Sequence, residues 1–187
     1  MKRIVVLYML LFTVPAWSGV DQYRQSIEKN AVLWNLPVEI IQSVIYVESR
    51  FNTEARSPKG AIGLMQVVPD SGGREIWRLL FNEDRSPSRK LLRDPHSNIM
   101  IGTAYLAHLY HRYFCTIENN DIRIMVALAG YNWGPGRVKA LLKRYGRPNS
   151  TTEMYRLLIR YAPHETADYV IFVLSKAVGY SKARLPG

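Results

Sequence analysis

From Val38 to Leu174 the apolar residues recur at spacings of three and four, and nearly every run is bracketed by residues that start or stop a helix. Pro37 stands where a first turn tolerates proline, and Val38, Ile41, Ile45 and Glu48 follow it on one face. Asp94-Pro95 is a cap followed by proline, with Ile99, Thr103, Leu106, Tyr110 and Tyr113 on a shared stripe. Pro135 to Tyr145 turns Val138, Leu141 and Leu142 inward and closes at Gly146; Ser150 and Glu153 have capping-box spacing ahead of Met154, Leu157, Leu158 and Tyr161. The remaining helices are predicted from Asp21 to Asn35, weakly from Pro69 to Phe81 across Gly72 and Gly73, from Asp121 to Ala129 with Gly130 as stop, and from Glu165 to Val178. Residues 50–61 and 82–93 read as polar loops, and only Gly63 to Val68 offers a short strand. The predicted class is all-α, with at most a minimal β piece.

The chain has 187 residues, 48% of them hydrophobic, which suits one substantial core and is short for two domains. Its start has the three parts of a secretory signal: Lys2 and Arg3, an apolar run from Ile4 to Val14 broken by Pro15, then Ala16-Trp17-Ser18. The run is about half the roughly 20 residues of a membrane span, although an uncleaved N-terminal anchor is the other reading. No cysteine follows it, so processing as a lipoprotein has no residue to act on. Cleavage after Ser18 removes two basic residues and leaves residues 19–187, a basic protein of 169 residues at net charge +8. The expectation is an exported, periplasmic, one-domain protein without a stable membrane span. Its charge suits an anionic partner, and export disfavours nucleic acid.

Several chemistries lack their signatures. There is no phosphate-binding or dinucleotide glycine loop, no nucleophile-elbow serine and no paired-histidine zinc helix. Ser26 to Lys29 has a Ser-x-x-Lys form without the companion Lys-Thr-Gly. His108 and His111 lie one turn apart with no carboxylate at ligand spacing, which reads as a solvated face, and the lone Cys115 excludes an intrachain disulfide. No metal or cofactor is expected.

Glu48 stands apart because it ends an apolar stripe, so its helix aims a carboxyl at the interior. Burial and the negative end of a helix dipole both raise a carboxyl pKa, and a carboxyl protonated near neutral pH suits general-acid cleavage of a glycosidic bond. Periodicity alone favours the other reading, a helix-end residue reaching solvent.

Glu48-Ser49-Arg50-Phe51-Asn52 with Ala55, Ser57, Gly60-Ala61 and Gly63-Leu64-Met65-Gln66 resembles the lytic transglycosylases with a lysozyme-like domain. Asp94-Pro95, Asn98-Ile99, Gly102, Tyr105-Leu106, Tyr131-Asn132 with Gly134-Pro135-Gly136, Glu165-Thr166 and Tyr169-Val170 continue the likeness in order. It spans roughly residues 38–178, and Ser86 to Leu106 looks most like the murein transglycosylase C branch. The resemblance implies a goose-type-lysozyme-like helical fold. It also implies cleavage of the β-1,4 bond between N-acetylmuramic acid and N-acetylglucosamine in peptidoglycan strands, giving a 1,6-anhydro sugar. By the same matching, Glu48 is acid and then base, and Ser49 helps hold it. Met65 and Gln66 line the groove, Tyr131 hydrogen-bonds the catalytic carboxyl, Asn132 holds an N-acetyl group, and Glu165 and Tyr169 complete the groove. Compact relatives also suggest a wall-spanning secretion or conjugation machine as partner.

The chain departs from the family at Gly130 and Trp133, where alanine and a small residue are usual. Trp133 can stack on a sugar or narrow the groove. Two rival readings remain: a goose-type lysozyme-like hydrolase, with Asp70 or Asp94 as the second acid, and a non-catalytic wall-binding assembly protein. The second draws on residues 134–160, where Arg137, Lys139, Lys143, Arg144, Arg147, Arg156 and Arg160 face only Glu153.

Overall fold

The computed structural model describes residues 17–184. The signal-peptide reading falls almost wholly on residues 1–16, outside the described residues. The elements are α1 (Trp17–Trp34), α2 (Val38–Ser49), α3 (Arg74–Phe81), α4 (Arg89–Arg93), α5 (Pro95–His108), α6 (Asn120–Trp133), α7 (Pro135–Tyr145), α8 (Thr151–Tyr161) and α9 (His164–Arg184). Wide π-type turns lead into α3 (Pro69–Gly73) and prolong α5 (Leu109–Tyr113). Among the described residues the expected β piece reduces to isolated bridges, Arg56 with Ile62 and Ile62 with Val67. No helix among them is long and apolar enough to cross a membrane.

Helices α2 and α9 make the most extensive pairing, with α1 on α5 and α6 on both α7 and α9. The stripe of α2 supplies Ile41, Val44 and Ile45, all fully buried, against Val170 and Val173 of α9 and the Leu64–Met65 turn. Burying each such aliphatic side chain contributes about 1.5–3 kcal/mol, so this seam is what fixes the carboxyl-bearing end of α2. Helix α9 is less uniformly central than its apolar run suggests, since Phe172 is 59% exposed.

Several boundaries differ from expectation, and α9 itself runs on past Val178 to Arg184. Helix α1 begins at Trp17, ahead of Asp21, whose carboxylate pairs along the helix with Arg24 instead of capping it. The polar excursion contains α4: the Ser88 hydroxyl accepts from the Leu91 amide at 3.1 Å and Leu92 is fully buried. Five residues are too few to show a period. Helix α6 runs through Gly130 to Trp133, and its stop is Gly134, at φ +102°. Gly130 sits in tight packing: a Cβ there would stand 3.0 Å from the Phe114 ring. Finally, α6 starts one residue before Asp121, at Asn120, because Asn119 caps it, accepting from the Asp121 and Ile122 amides.

Candidate active site

Helix α2 ends abruptly after Glu48 and Ser49, because Arg50 and Phe51 both take left-handed backbone angles, φ +50° and +63°. Two such non-glycine residues in a row cost about 1–2 kcal/mol each, and persist where surrounding structure holds them. The Ser49 hydroxyl is part of that hold. It lies 3.0 Å from the Ile45 carbonyl and 2.8 Å from the Leu64 carbonyl, as donor. Ser49 therefore clamps the helix end that carries Glu48 to the 63–68 turn, through carbonyls and not through the Glu48 carboxyl.

The turn carrying Met65 and Gln66 is organised by Asn98 of α5. This fully buried side chain accepts from the Met65 amide at 2.8 Å and donates to the Ile62 and Leu92 carbonyls, each at 2.8 Å. It lies so close to Gly63, at φ +77°, that a Cβ there would fall 2.5 Å from the amide nitrogen. Met65 does not line a groove as expected. Its side chain is fully buried, with its sulfur 3.5 Å from the Thr103 hydroxyl and its thioether where a Gly102 Cβ would be. What Met65 offers is its carbonyl, which accepts from the Tyr131 hydroxyl at 2.7 Å. That bond also corrects the expectation for Tyr131, whose hydroxyl proton goes to the backbone and not to the Glu48 carboxyl.

Glu48 is nevertheless in the company of Tyr131. Burial pushes its pKa to about 7; the Tyr169 hydroxyl pulls it down and the negative charge of Glu165 pushes it up. Both tyrosines are raised well above their ordinary pKa, by burial first and by the Glu48 charge second. The Tyr169 hydroxyl faces Glu48 without closing a full hydrogen bond, and it is one of two buried side-chain polar atoms without a partner among the described residues. Glu165, one turn before Tyr169 on α9, is exposed.

Beside this carboxyl runs a cleft of about 610 Å³. Gln66, Tyr131 and Asn132 line it, with Tyr105, Trp133 and Arg137. Glu48, Glu165 and Tyr169 do not; Tyr131 lines the cleft and feels the Glu48 charge, marking where the two adjoin. Gln66, at φ +46°, uses its amide nitrogen to hold its own turn, donating to Ala55 and Gly63 carbonyls at 3.0 and 2.9 Å. Asn132 is held by a residue the sequence reading gave no role: the buried Thr166 hydroxyl donates to its Oδ1 at 2.8 Å, leaving the amide N–H groups for a ligand. Thr166 and Asn98 both stood in the motif runs, but one sequence does not separate a holder from a filler.

The remaining candidates lie elsewhere. Asp70 accepts from Ser86 and Asp94 caps α5, so neither lines the cleft. Glu75 does line it, tied to His108 at 3.1 Å; that hydrogen bond holds its carboxyl below the usual range. His108 is thus paired rather than solvated, and the ring of His111 meets the Trp34 carbonyl at 3.0 Å. No cluster that could hold a metal ion occurs among the described residues.

Residues 25–153 match the model of the Transglycosylase SLT domain family. The chain belongs to that family. The match stops before α9, the helix that carries Glu165, Thr166 and Tyr169. The chain is 38% identical over 130 residues to the membrane-bound lytic murein transglycosylase E of Buchnera aphidicola, covering 70% of this chain and 57% of that protein. It is 36% identical over 117 residues to the membrane-bound lytic murein transglycosylase C of Yersinia pestis, covering 63% and 32%. The fold matches an inactive mutant of the lytic transglycosylase Slt from Pseudomonas aeruginosa at 32% identity and a TM-score of 0.71, over 86% of this chain and 24% of that one. This SLT chain thus spans about a third to just over half of these curated relatives' length.

Proposed function

We propose that this SLT chain is a peptidoglycan lytic transglycosylase. It cuts the β-1,4 bond between N-acetylmuramic acid and N-acetylglucosamine, and Glu48 is both acid and base. The observation that carries this reading is a carboxyl with a pKa of about 7, set between two buried tyrosines and beside a cleft with a fixed side-chain amide. Neutral Glu48 gives its proton to the departing glycosidic oxygen as the bond to C1 breaks. The resulting carboxylate takes the proton of the muramic acid 6-hydroxyl, whose oxygen closes on C1, and no water is consumed. Asn132 donates to an N-acetyl oxygen near C1, and Gln66 borders the same cleft. Tyr131 supports the groove wall through the Met65 carbonyl, and Tyr169 steadies the carboxylate formed midway. A hydrolase would need a second acid or base to deliver water, and the only carboxylate lining the cleft among the described residues, Glu75, is engaged with His108.

In this reading residues 19–187 form one catalytic domain behind a signal peptide at 1–18. It acts in the periplasm, and a wall-spanning secretion or conjugation machine is its partner. The test is turnover of purified peptidoglycan by Glu48→Gln. A residue serving as acid and then base should cost turnover at the upper end of about 10²–10⁴-fold, with melting behaviour retained. More than about a tenth of parental activity in that variant contradicts the assignment.

A further inference from the structure

The basic stretch of α7 and α8 plays no part in the chemistry at Glu48, yet it is built rather than scattered. Tyr145 at the end of α7 and Tyr161 at the end of α8 stack face to face, ring centroids 3.8 Å apart and planes within 12°. Arg144 lies 5.3 Å from the first ring and Arg160 lies 5.4 Å from the second. The tyrosines are 41% and 38% exposed, a large aromatic pair left at the surface. They border a depression of about 300 Å³ that Arg147, Arg156 and Arg160 also line, with Pro148 and Leu157 as apolar flanks. Its one carboxylate, Glu153, is already engaged by the Asn149 amide at 2.7 Å. None of these arginines forms an ion pair with an acid among the described residues. Like charges gathered this closely repel, and a bound anion relieves the repulsion; guanidinium forks suit carboxylates in particular.

We propose that this depression binds the carboxylates of the peptide stems on the glycan strand, at a distance from the cleft where the strand is cut. The inference rests on the transglycosylase reading. A stem peptide offers carboxylates next to small aliphatic groups, which matches guanidinium groups set beside Pro148, Leu157 and tyrosine rings better than a phosphodiester would. Helix α7 links the two places: Pro135 lines the cleft and Tyr145 lines the depression, about 15 Å apart at the rise of an α-helix. The helix thus sets the separation between cut bond and recognised stem.

Binding is measured in the Glu48→Gln chain, so that nothing is cleaved, on purified stem-bearing glycan and on the same glycan stripped of stems by an amidase and then amidated at the lactyl carboxylates that the hydrolysis exposes. The expected result is a preference for stem-bearing glycan that falls about tenfold in Arg156→Gln/Arg160→Gln, with stem-free binding unchanged. High salt should abolish the preference in the parent. Equal binding of both glycans by the parent overturns the proposal, as do an unaltered preference in the double variant, an equal loss on both glycans, and competition by anionic phospholipid vesicles as strong as that of free stem peptide. If the double variant melts early, Arg156→Gln alone is judged by the same outcomes. A Glu48→Gln chain that binds neither glycan, and whose unsubstituted form does not cut, overturns the transglycosylase reading and this proposal together; a Glu48→Gln chain without stem preference, whose unsubstituted form does cut, overturns only this one.

Discussion

An exposed glutamate ionises near pH 4.5, and Glu48 is carried to about 7 because burial strips water from its charged form and Glu165 adds a second negative charge. The folded chain therefore keeps a proton that the unfolded chain has already released, so Glu48 lowers stability progressively as pH rises from about 4.5 to 7. One pKa unit corresponds to about 1.4 kcal/mol, so the full penalty is at most on the order of 3 kcal/mol. Glu48→Gln removes it: calorimetry should find the variant melting above the parent at pH 8 and level with it below pH 4.5. Catalysis has the same origin but another reading. The acid must be protonated, so turnover should fall about tenfold per pH unit above about 7. Tyr169 pulls the Glu48 pKa down, so Tyr169→Phe should move that alkaline limb to higher pH. A limb that stays in place would make Tyr169 a packing residue. The Val38-Ile41-Ile45 stripe made Glu48 a candidate without separating it from a helix-end residue reaching solvent; the resemblance of the surrounding motif singled it out. The partners of Ser49, Met65 and Tyr131 were not legible, because residue type does not say whether a hydroxyl meets a carboxylate or a carbonyl.

Helices whose apolar faces recur over three turns, such as α5, α7 and α8, were readable from spacing and caps. Helix α4 was not, nor was the continuation of α6 through Gly130, where the Phe114 ring lies 3.0 Å from where a Cβ would stand. Tertiary contacts decide such places, and they decide the 63–68 turn most of all. Its shape depends on Asn98 reaching from α5 to one amide and two carbonyls. Asn98→Ala strands those buried groups at about 1–3 kcal/mol each. The expected loss is about 3 kcal/mol or more, seen as a melting point lower by roughly 6–12 °C for a chain of this size. A change under about 2 °C would mean that water or side-chain shifts replace Asn98. Gly102→Ala tests the other side of the same turn, since its Cβ would sit 2.6 Å from the Met65 Cβ. Overpacking of this kind typically costs about 1–3 kcal/mol. Turnover should fall with it because Met65 carries the carbonyl that holds Tyr131. Loss of stability with full specific activity would separate the turn from the site.

Over the whole molecule the net charge of +10 and the run of basic residues from Arg137 to Arg160 favour approach to an anionic wall. Exposed charges interact over about 8 Å at physiological ionic strength, so association with sacculi should weaken steeply as salt rises. Neutralising Lys139, Lys143 and Arg144 together should reduce sedimentation with sacculi and leave cleavage of short soluble fragments nearly intact. Loss of cleavage in that variant would place those residues in the groove or the fold. Composition made this much legible, while the stacked tyrosines that order the patch depend on how α7 and α8 meet. The central claim is that one carboxyl closes the sugar on itself without water, and mass analysis of the products from purified peptidoglycan tests it most directly. The expected products end in 1,6-anhydromuramic acid, lighter by one water than reducing ends. Reducing-end products carrying oxygen from labelled water would contradict the account and make the chain a hydrolase.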